Sequence, residues 1–329
     1  MSRRILLALM GVLLLALALP AFAWDPTPSG YAQFRYNYSD SDDDGDFEAR
    51  RIRLSWKDTV NDQGTTARVQ FDLADLVEGD EVVLKDAWVM HPWSETFSSR
   101  FGYGDTLFGI DVEYSSSARL PFERARVTRD FFPGEKDLGI YFTYEGQQQY
   151  GPILDLGVSN GMDAWHDDDD EASAFVARLT VPFDSSEAGI SYMSANREGD
   201  GYDVEPSVWG AHVRYEAADT VDWALQAEYM DGEYLRGGNY YDANGWYATV
   251  EVTPPASEAT LFYRYDERER TLSMAAAAQE GATETYQRNT FGVAWDFMPM
   301  NRLTLQIEDI DNAGSSSTDF GVQWQVSYK

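Results

Sequence analysis

Over most of the chain apolar and polar residues alternate one by one, in runs of about ten broken by turn-forming residues. From Tyr31 to Tyr38, Ala32, Phe34, Tyr36 and Tyr38 fall on one face, Gln33, Arg35 and Asn37 on the other. A period of two marks an extended strand, whose successive side chains point to opposite faces. Phe47–Lys57 sets Ile52, Leu54 and Trp56 against Arg51, Arg53, Ser55 and Lys57. A third strand sets Ala67, Val69, Phe71 and Leu73 against Arg68, Gln70 and Asp72. A fourth, near Val82–Met90, has an alternation blurred by Lys85 and Asp86; a fifth is Phe97–Gly104 and a sixth Leu138–Gly146. The same pattern predicts strands at Pro152–Ser159, Ser173–Pro182, Glu187–Ala195, Ser207–Glu216, Asp222–Asp231, Asn244–Val252, Glu258–Glu267, Tyr286–Asp296, Arg302–Ile310 and Thr318–Tyr328, sixteen in all.

The connections alternate as well. Those after odd strands include long or charged segments: Asp105–Asp137, Asn160–Ala172, Asn196–Pro206, Gly232–Ala243 and Arg268–Thr285. Those after even strands are short: Gln147–Gly151, Phe183–Ser186, Ala217–Val221 and Phe297–Asn301. Long loops on one side, short turns on the other and an even strand count are the pattern of bacterial outer-membrane barrels. A soluble sandwich shares the alternation but not this asymmetry, nor Trp and Tyr so often near strand ends, where interfacial girdles sit. In lipid a sheet must close, because an open edge leaves backbone groups unpaired. The expected fold is an all-β transmembrane antiparallel barrel of sixteen strands with both termini on the periplasmic side. A barrel of that size encloses water, so the expected function is passive diffusion of small hydrophilic solutes.

The first 23 residues read as an export signal: Arg3 and Arg4, an apolar run Ile5–Leu19, and the small-x-small site Ala21-Phe22-Ala23. The domain then spans 24–329, with 23 basic and 56 acidic residues and a net charge of −33. Such a charge disfavours nucleic acid as a partner. The chain has no cysteine, hence no disulfide framework.

Against that acidic background one stretch stands out. The interruption Asp105–Asp137 is 33 residues long, and its second half carries Arg119, Arg124, Arg126, Arg129 and Lys136 against Glu123, Asp130 and Glu135. Loops beyond about 12–15 residues in a compact domain are usually functional. Arg51, Arg53 and Lys57 share one polar strand face, and Arg35, Arg68 and Arg100 fall on polar faces of neighbouring strands. These eleven cations are the candidate pore-lining set. They could alternatively pair with inward carboxylates such as Asp72 and Glu145.

Asp40, Asp42 and Asp44, followed by Gly45, match the opening half of a calcium loop, but position 12 is Arg51 and no helix flanks it. An EF-hand is excluded, leaving these aspartates as candidates for a looser cation site or a solvated acidic loop. His166 with Asp167–Asp170 and Glu171 is a second acidic run. Some outer-membrane barrels are hydrolases, but of the three histidines His91 sits at a strand end and His166 in that run, and only His212 is a plausible base. Nothing supplies a nucleophile, base and orienting group together. A non-transport barrel, adhesin or hydrolase, is the remote alternative.

The runs FEARRIRLSW (Phe47–Trp56), FDLAD (Phe71–Asp75), LKDAWV (Leu84–Val89), LPFERA (Leu120–Ala125) and FFPGEKDLGI (Phe131–Ile140), in this order, resemble the phosphate-selective porins O and P. The resemblance implies a trimeric sixteen-stranded outer-membrane porin, without cofactor, whose third extracellular loop folds into the lumen as a constriction. It also implies lumen cations that guide anions such as phosphate. Carried over by position, the loop is Asp105–Asp137. Where the family tends to carry a lysine soon after the fifth strand, Gly104 here leads into Asp105 and Thr106. The overall acidity keeps a general or cation-preferring porin as the alternative.

Overall fold

In a computed structural model, sixteen antiparallel strands pair in sequence order and β1 closes onto β16, from Gly30↔Tyr328 to Ser39↔Asp319. They are β1 (Ser29–Ser39), β2 (Asp44–Thr59), β3 (Thr66–Asp72), β4 (Val83–Pro92), β5 (Phe97–Asp105), β6 (Lys136–Glu145), β7 (Ile153–Ser159), β8 (Ser173–Phe183), β9 (Ser186–Asn196), β10 (Ser207–Ala218), β11 (Asp222–Arg236), β12 (Asn239–Thr253), β13 (Ala259–Met274), β14 (Thr283–Met298), β15 (Asn301–Asn312) and β16 (Ser315–Tyr328). The structure describes residues 27–41, 43–77, 79–161, 173–196, 205–218, 221–236, 239–274 and 283–329. The expected export signal 1–23, Asp42 and the acidic run 166–171 lie outside these described residues.

The wall is inverted relative to a soluble protein. Phe34, Phe101, Trp209, Trp246, Phe291 and Trp324 are exposed on the outside, while Gln33, Arg35, Gln70, Asp86, Arg288 and Gln323 are buried within. Alternation alone produces this, since the apolar face must meet lipid and the polar face the interior. Aromatic pairs sit at two levels of the wall: Trp209–Tyr229 and Trp246–Tyr265, across neighbouring strands, toward one rim, and Tyr215–Trp223, across strands, with Trp295–Phe297, within β14, toward the other. These are the two interfacial girdles.

All sixteen expected strands are present, but the wall is uneven. β3 and β7 have 7 residues each, whereas β11–β14 have 15 or 16. Much of the expected loops Gly232–Ala243 and Arg268–Thr285 is therefore wall: β11 runs to Arg236, β12 starts at Asn239, β13 reaches Met274 and β14 begins at Thr283. Beyond the girdle the outward face no longer needs apolar residues. Glu267 and Glu269 continue the row of Tyr263 and Tyr265, so the ladder persists after the hydrophobic signal stops.

Two bulges matter for the interior. Gln33 pairs with Arg51 but Phe34 with Ala49, which leaves Arg50 as an extra residue in β2. Gln70 pairs with Asp86 but Phe71 with Leu84, which leaves Lys85 extra in β4. A bulge re-aims side chains at one point of an otherwise strict alternation. The second bulge is why the fourth strand's pattern looked blurred.

Candidate functional site

The insert between β5 and β6, residues 106–135, contains one helical turn and a half, α1 (Arg126–Phe131). The helix replaces loop at this point of the expected structure. No side chain caps it locally; the N–H of Arg126 donates instead to Asp266 of β13, at 3.0 Å.

Polar side chains of many strands hold the insert. The N–H of Gly109 donates to the Ser191 hydroxyl of β9 (3.0 Å), and Glu228 of β11 accepts from the N–H groups of Ile110 and Asp111 (3.3 and 3.2 Å). Gln33 of β1 and Gln325 of β16 donate to the carbonyls of Ser116 and Ser117. The N–H of Phe122 donates to Gln306 of β15, and Arg264 and Arg288 donate to the carbonyls of Glu123 and Arg124. Each backbone group so satisfied is one that burial would otherwise penalise.

Over β8–β12 an apolar contact is added to these hydrogen bonds. Phe108, Val112, Val127, Phe131 and Phe132 of the insert pack on Val176, Met193, Val208, Met230, Tyr234 and Tyr247 of the wall. Phe108 and Phe132 meet with rings tilted by 38° at 4.6 Å, and Phe131 meets Tyr234 edge-on at 5.3 Å. This inward apolar patch was not expected. Its signal is that stretches such as Ala174–Ala177 are apolar on both faces, where a lipid-facing strand needs only one.

On the opposite side, along β1–β4, the insert meets cations. The Glu123 carboxylate takes Nε and Nη2 of Arg50 at 2.8 and 3.1 Å, Nη1 of Arg35 at 3.0 Å and Nη2 of Arg51 at 3.4 Å. Burial by itself raises the Glu123 pKa, but the guanidiniums of Arg51, Arg50 and Arg35 outweigh it and hold the carboxyl well below its usual range. Glu113, paired with Arg178 of β8, is pushed the other way: burial raises it more than the guanidinium lowers it.

The candidate cations have different surroundings. Arg53 pairs with Asp72 at 3.1 Å, and Arg68 and Lys136 share Asp86 at 2.9 and 3.1 Å. Lys136 also reaches Asp105 at 2.5 Å, and Arg100 donates to the Asp105 carbonyl over the Tyr141 ring. Lys57 lies exposed, 5.8 Å from the Trp88 ring. Arg119 is buried and donates to the carbonyls of Pro121 and Phe122; burial, then the neighbouring Arg124, draws its pKa down to about 9. Arg124 donates to the carbonyls of Asp111, Val112 and Tyr114 and pairs with Glu135, so it braces the insert. Arg126 pairs with Asp130 over the Tyr286 ring. Arg129 is exposed, and among the described residues it makes no ion pair. Of the expected carboxylate partners, Asp72 is used; Glu145 lies exposed at the end of β6.

Asp40 accepts from the N–H of Thr318 and Asp44 from that of Gly45. Among the described residues no three His, Cys, Asp or Glu side chains come together as a metal site. His212 is buried, and with Arg178 and Glu113 it lines a small cavity of about 220 Å³.

Three larger cavities follow one another beside β1–β4. One of about 430 Å³, near the β1–β2 turn, is lined by Arg35, Asp44, Asp46, Glu123, Glu308 and Asp319. The next, about 230 Å³, shares Glu123 with it and adds Arg50, Arg51, Arg53, Lys85, Arg124 and Arg129, with Asp72, Asp75 and Glu135. The third, about 380 Å³, shares Arg53, Arg124 and Glu135 with the second and opens toward Ser29 and Tyr328.

Arg50 and Lys85 escaped the alternation reading because each is a bulge residue. Arg264, Arg268 and Arg288 were legible, since Arg264, Asp266 and Arg268 recur at period two. They clamp Asp266 and, through Arg268 at 2.9 Å, Asp130 of the helix.

The sequence profile of the phosphate-selective porin O and P family matches residues 27–203. The chain belongs to this family. It is an outer-membrane porin, and the barrel is a channel for small solutes across that membrane. Solved structures share the fold. The anion-selective porin from Comamonas acidovorans is 11% identical over 92% of this chain and 99% of that one, with a TM-score of 0.67. A loop-deletion mutant of OmpT from Vibrio cholerae is 16% identical over 92% and 99%, with a TM-score of 0.66. The outer membrane channel DcaP of Acinetobacter baumannii is 13% identical over 92% and 97%, with a TM-score of 0.65. No curated protein sequence matches the chain.

Proposed function

We propose that this porin prefers small anions, phosphate among them, and that residues 106–135 fold into the lumen as its constriction. The lumen reading is supported by the hydrogen bonds that tie the insert to inward side chains of β1, β9, β11 and β13–β16. The selectivity reading rests on the middle cavity. Six basic side chains line it against the four carboxylates Asp72, Asp75, Glu123 and Glu135, a surplus of two positive charges in a chain of net charge −31. Lys85 and Arg129 are the cations there with no ion pair among the described residues, so their charge is available to a solute. Rings of like charge at a constriction set the sign of the ion that passes.

The deciding measurement is the reversal potential across a planar bilayer under a KCl gradient. The anion reading expects the sign of a chloride-preferring pore; a potassium-preferring sign overturns it. A cation-preferring pore is the second reading, favoured by the outer cavity, where Asp44, Asp46, Glu123, Glu308 and Asp319 face the single cation Arg35.

We further propose a homotrimer, as the family resemblance implies, and export directed by residues 1–23. The mass of the detergent-extracted barrel and the N-terminal residue of the purified protein test these two points.

A further inference from the structure

The middle and third cavities adjoin, sharing Arg53, Arg124 and Glu135, but their walls differ in chemistry. None of the thirteen residues lining the middle cavity carries a hydroxyl or an amide side chain: ten are charged, and the others are Val83, Pro133 and Gly134. In the third cavity eight of the twenty lining residues are serine or tyrosine. The difference decides what each wall can solvate. Guanidinium and ammonium groups only donate hydrogen bonds and ionised carboxylates only accept them, whereas a hydroxyl does both and its hydrogen turns to suit the partner. A phosphate oxygen is satisfied by donors alone. An alcohol group has a hydrogen to give and lone pairs to fill, and a hydroxyl-lined wall can stand in for the water it sheds.

The insert supplies three of these hydroxyls in succession, Ser115, Ser116 and Ser117. The barrel fixes this tip: Gln33 and Gln325 donate to the carbonyls of Ser116 and Ser117 at 3.0 and 3.1 Å. Ser116 is buried and taken up by the Tyr31 hydroxyl, 2.6 Å away. Ser115 is exposed and Ser117 half-buried; their hydroxyls meet at 2.9 Å, and the N–H of Ser117 donates to that of Ser115 at 3.3 Å. The bond between them uses one hydrogen, so the pair, held in place, keeps the other hydrogen and free lone pairs for a solute. Lys57 lines the same cavity, exposed and without an ion pair among the described residues.

We propose that the preferred solutes of this pore are phosphorylated polyols, small sugar phosphates and glycerol phosphates as a class, and that Ser115 and Ser117 select their hydroxylated part. This rests on the anion reading above and adds to it a subsite specific for hydroxyls. The charged middle cavity takes the phosphate, and the polyol body lies along the serines of the adjoining one, with Lys57 there to receive the anionic group as it moves on. A solute of the same charge but with an alkyl body sheds its water without replacement and leaves the wall hydroxyls unpaired, the condition under which a polar site rejects an analogue lacking a hydroxyl.

The test compares two esters of equal charge and chain length, glycerol 1-phosphate and propyl phosphate, with inorganic phosphate as the reference. Relative permeabilities are read from reversal potentials in planar bilayers under gradients of the potassium salts. Wild type should pass glycerol 1-phosphate about fivefold better than propyl phosphate, the worth of one net neutral hydrogen bond. Ser115→Ala with Ser117→Ala should bring that ratio below about twofold, since the hydrogen bonds that separate the esters are gone. Ser115→Thr with Ser117→Thr keeps both hydroxyls and should keep the preference, which a merely structural role of the serines would not predict. Equal passage of the two esters through wild type overturns the proposal, and so does a preference that survives the double alanine change. Should that variant not assemble, as judged by heat-modifiable mobility of the barrel, Ser115→Ala alone takes its place. It removes the more exposed hydroxyl and should lower the ratio by a smaller factor; no lowering overturns the proposal. A wild type that excludes inorganic phosphate refutes the anion reading and this inference with it, whereas one that passes inorganic phosphate without distinguishing the esters refutes this inference alone.

Discussion

A β-carbon placed on Gly109 would fall 1.7 Å from Oε1 of Glu228. Gly109 has φ +59, a left-handed conformation that glycine tolerates best, and the N–H groups of the next two residues donate to that same carboxylate. The turn therefore works only without a side chain. Gly109→Ala should cost about 1–3 kcal/mol from backbone strain alone, with the steric clash added. Since the wall is hydrogen-bonded independently, the barrel should still form, with a looser insert. Urea titration should show a lower midpoint, and single-channel records larger or noisier openings. Unchanged records would mean that this turn does not anchor the insert.

The apolar side of the insert gives a second expectation. Phe131 and Phe132 are fully buried against the wall of β8–β12. Truncating a buried Phe to Ala costs about 3–5 kcal/mol. The double change Phe131→Ala with Phe132→Ala should detach the insert on that side and raise conductance severalfold, with little change in the strand content seen by circular dichroism. A normal conductance would place the insert's hold elsewhere, on its polar contacts.

Arg124 and Arg129 lie in one basic run but should behave differently. Arg124 is spent on three insert carbonyls and Glu135, so Arg124→Ala should loosen the insert and lower its thermal stability. Arg129 makes no ion pair among the described residues, so Arg129→Ala should leave stability within about 0.5 kcal/mol, the usual range for surface changes. It should nevertheless move the reversal potential toward cations. Lys85→Ala should act in the same direction. Equal effects of Arg124→Ala and Arg129→Ala on stability would contradict this division.

The pH dependence follows from Glu123. A glutamate in an unfolded chain titrates near about 4.3, and the three guanidiniums hold Glu123 well below that. A lowered carboxylate pKa stabilises the fold fully above the unfolded value, and the contribution is lost only as pH falls through the folded one. The Glu123 pairs should therefore persist from pH 7 to 5. Across that range the difference in reversal potential between wild type and Glu123→Gln should stay constant. A difference that halves by pH 5 would show an ordinary glutamate, not one held by three guanidiniums.

The alternation of single residues determined the strands, their number and their inside-out polarity, because lipid on one face and a polar interior on the other impose a period of two on each strand separately. The length and basic content of the insert were equally local, and so were readable. Tertiary structure decided what depends on two segments at once. Bulges at Arg50 and Lys85 exist only in the register between strands, so no single strand reveals that these cations face the cavity. Arg124 and Arg129 look alike along the chain and differ only in what stands opposite them. Glu123 reads in the sequence as one acidic residue in a basic run; that it pairs with three arginines of two strands follows from the wall bringing Arg35, Arg50 and Arg51 around it.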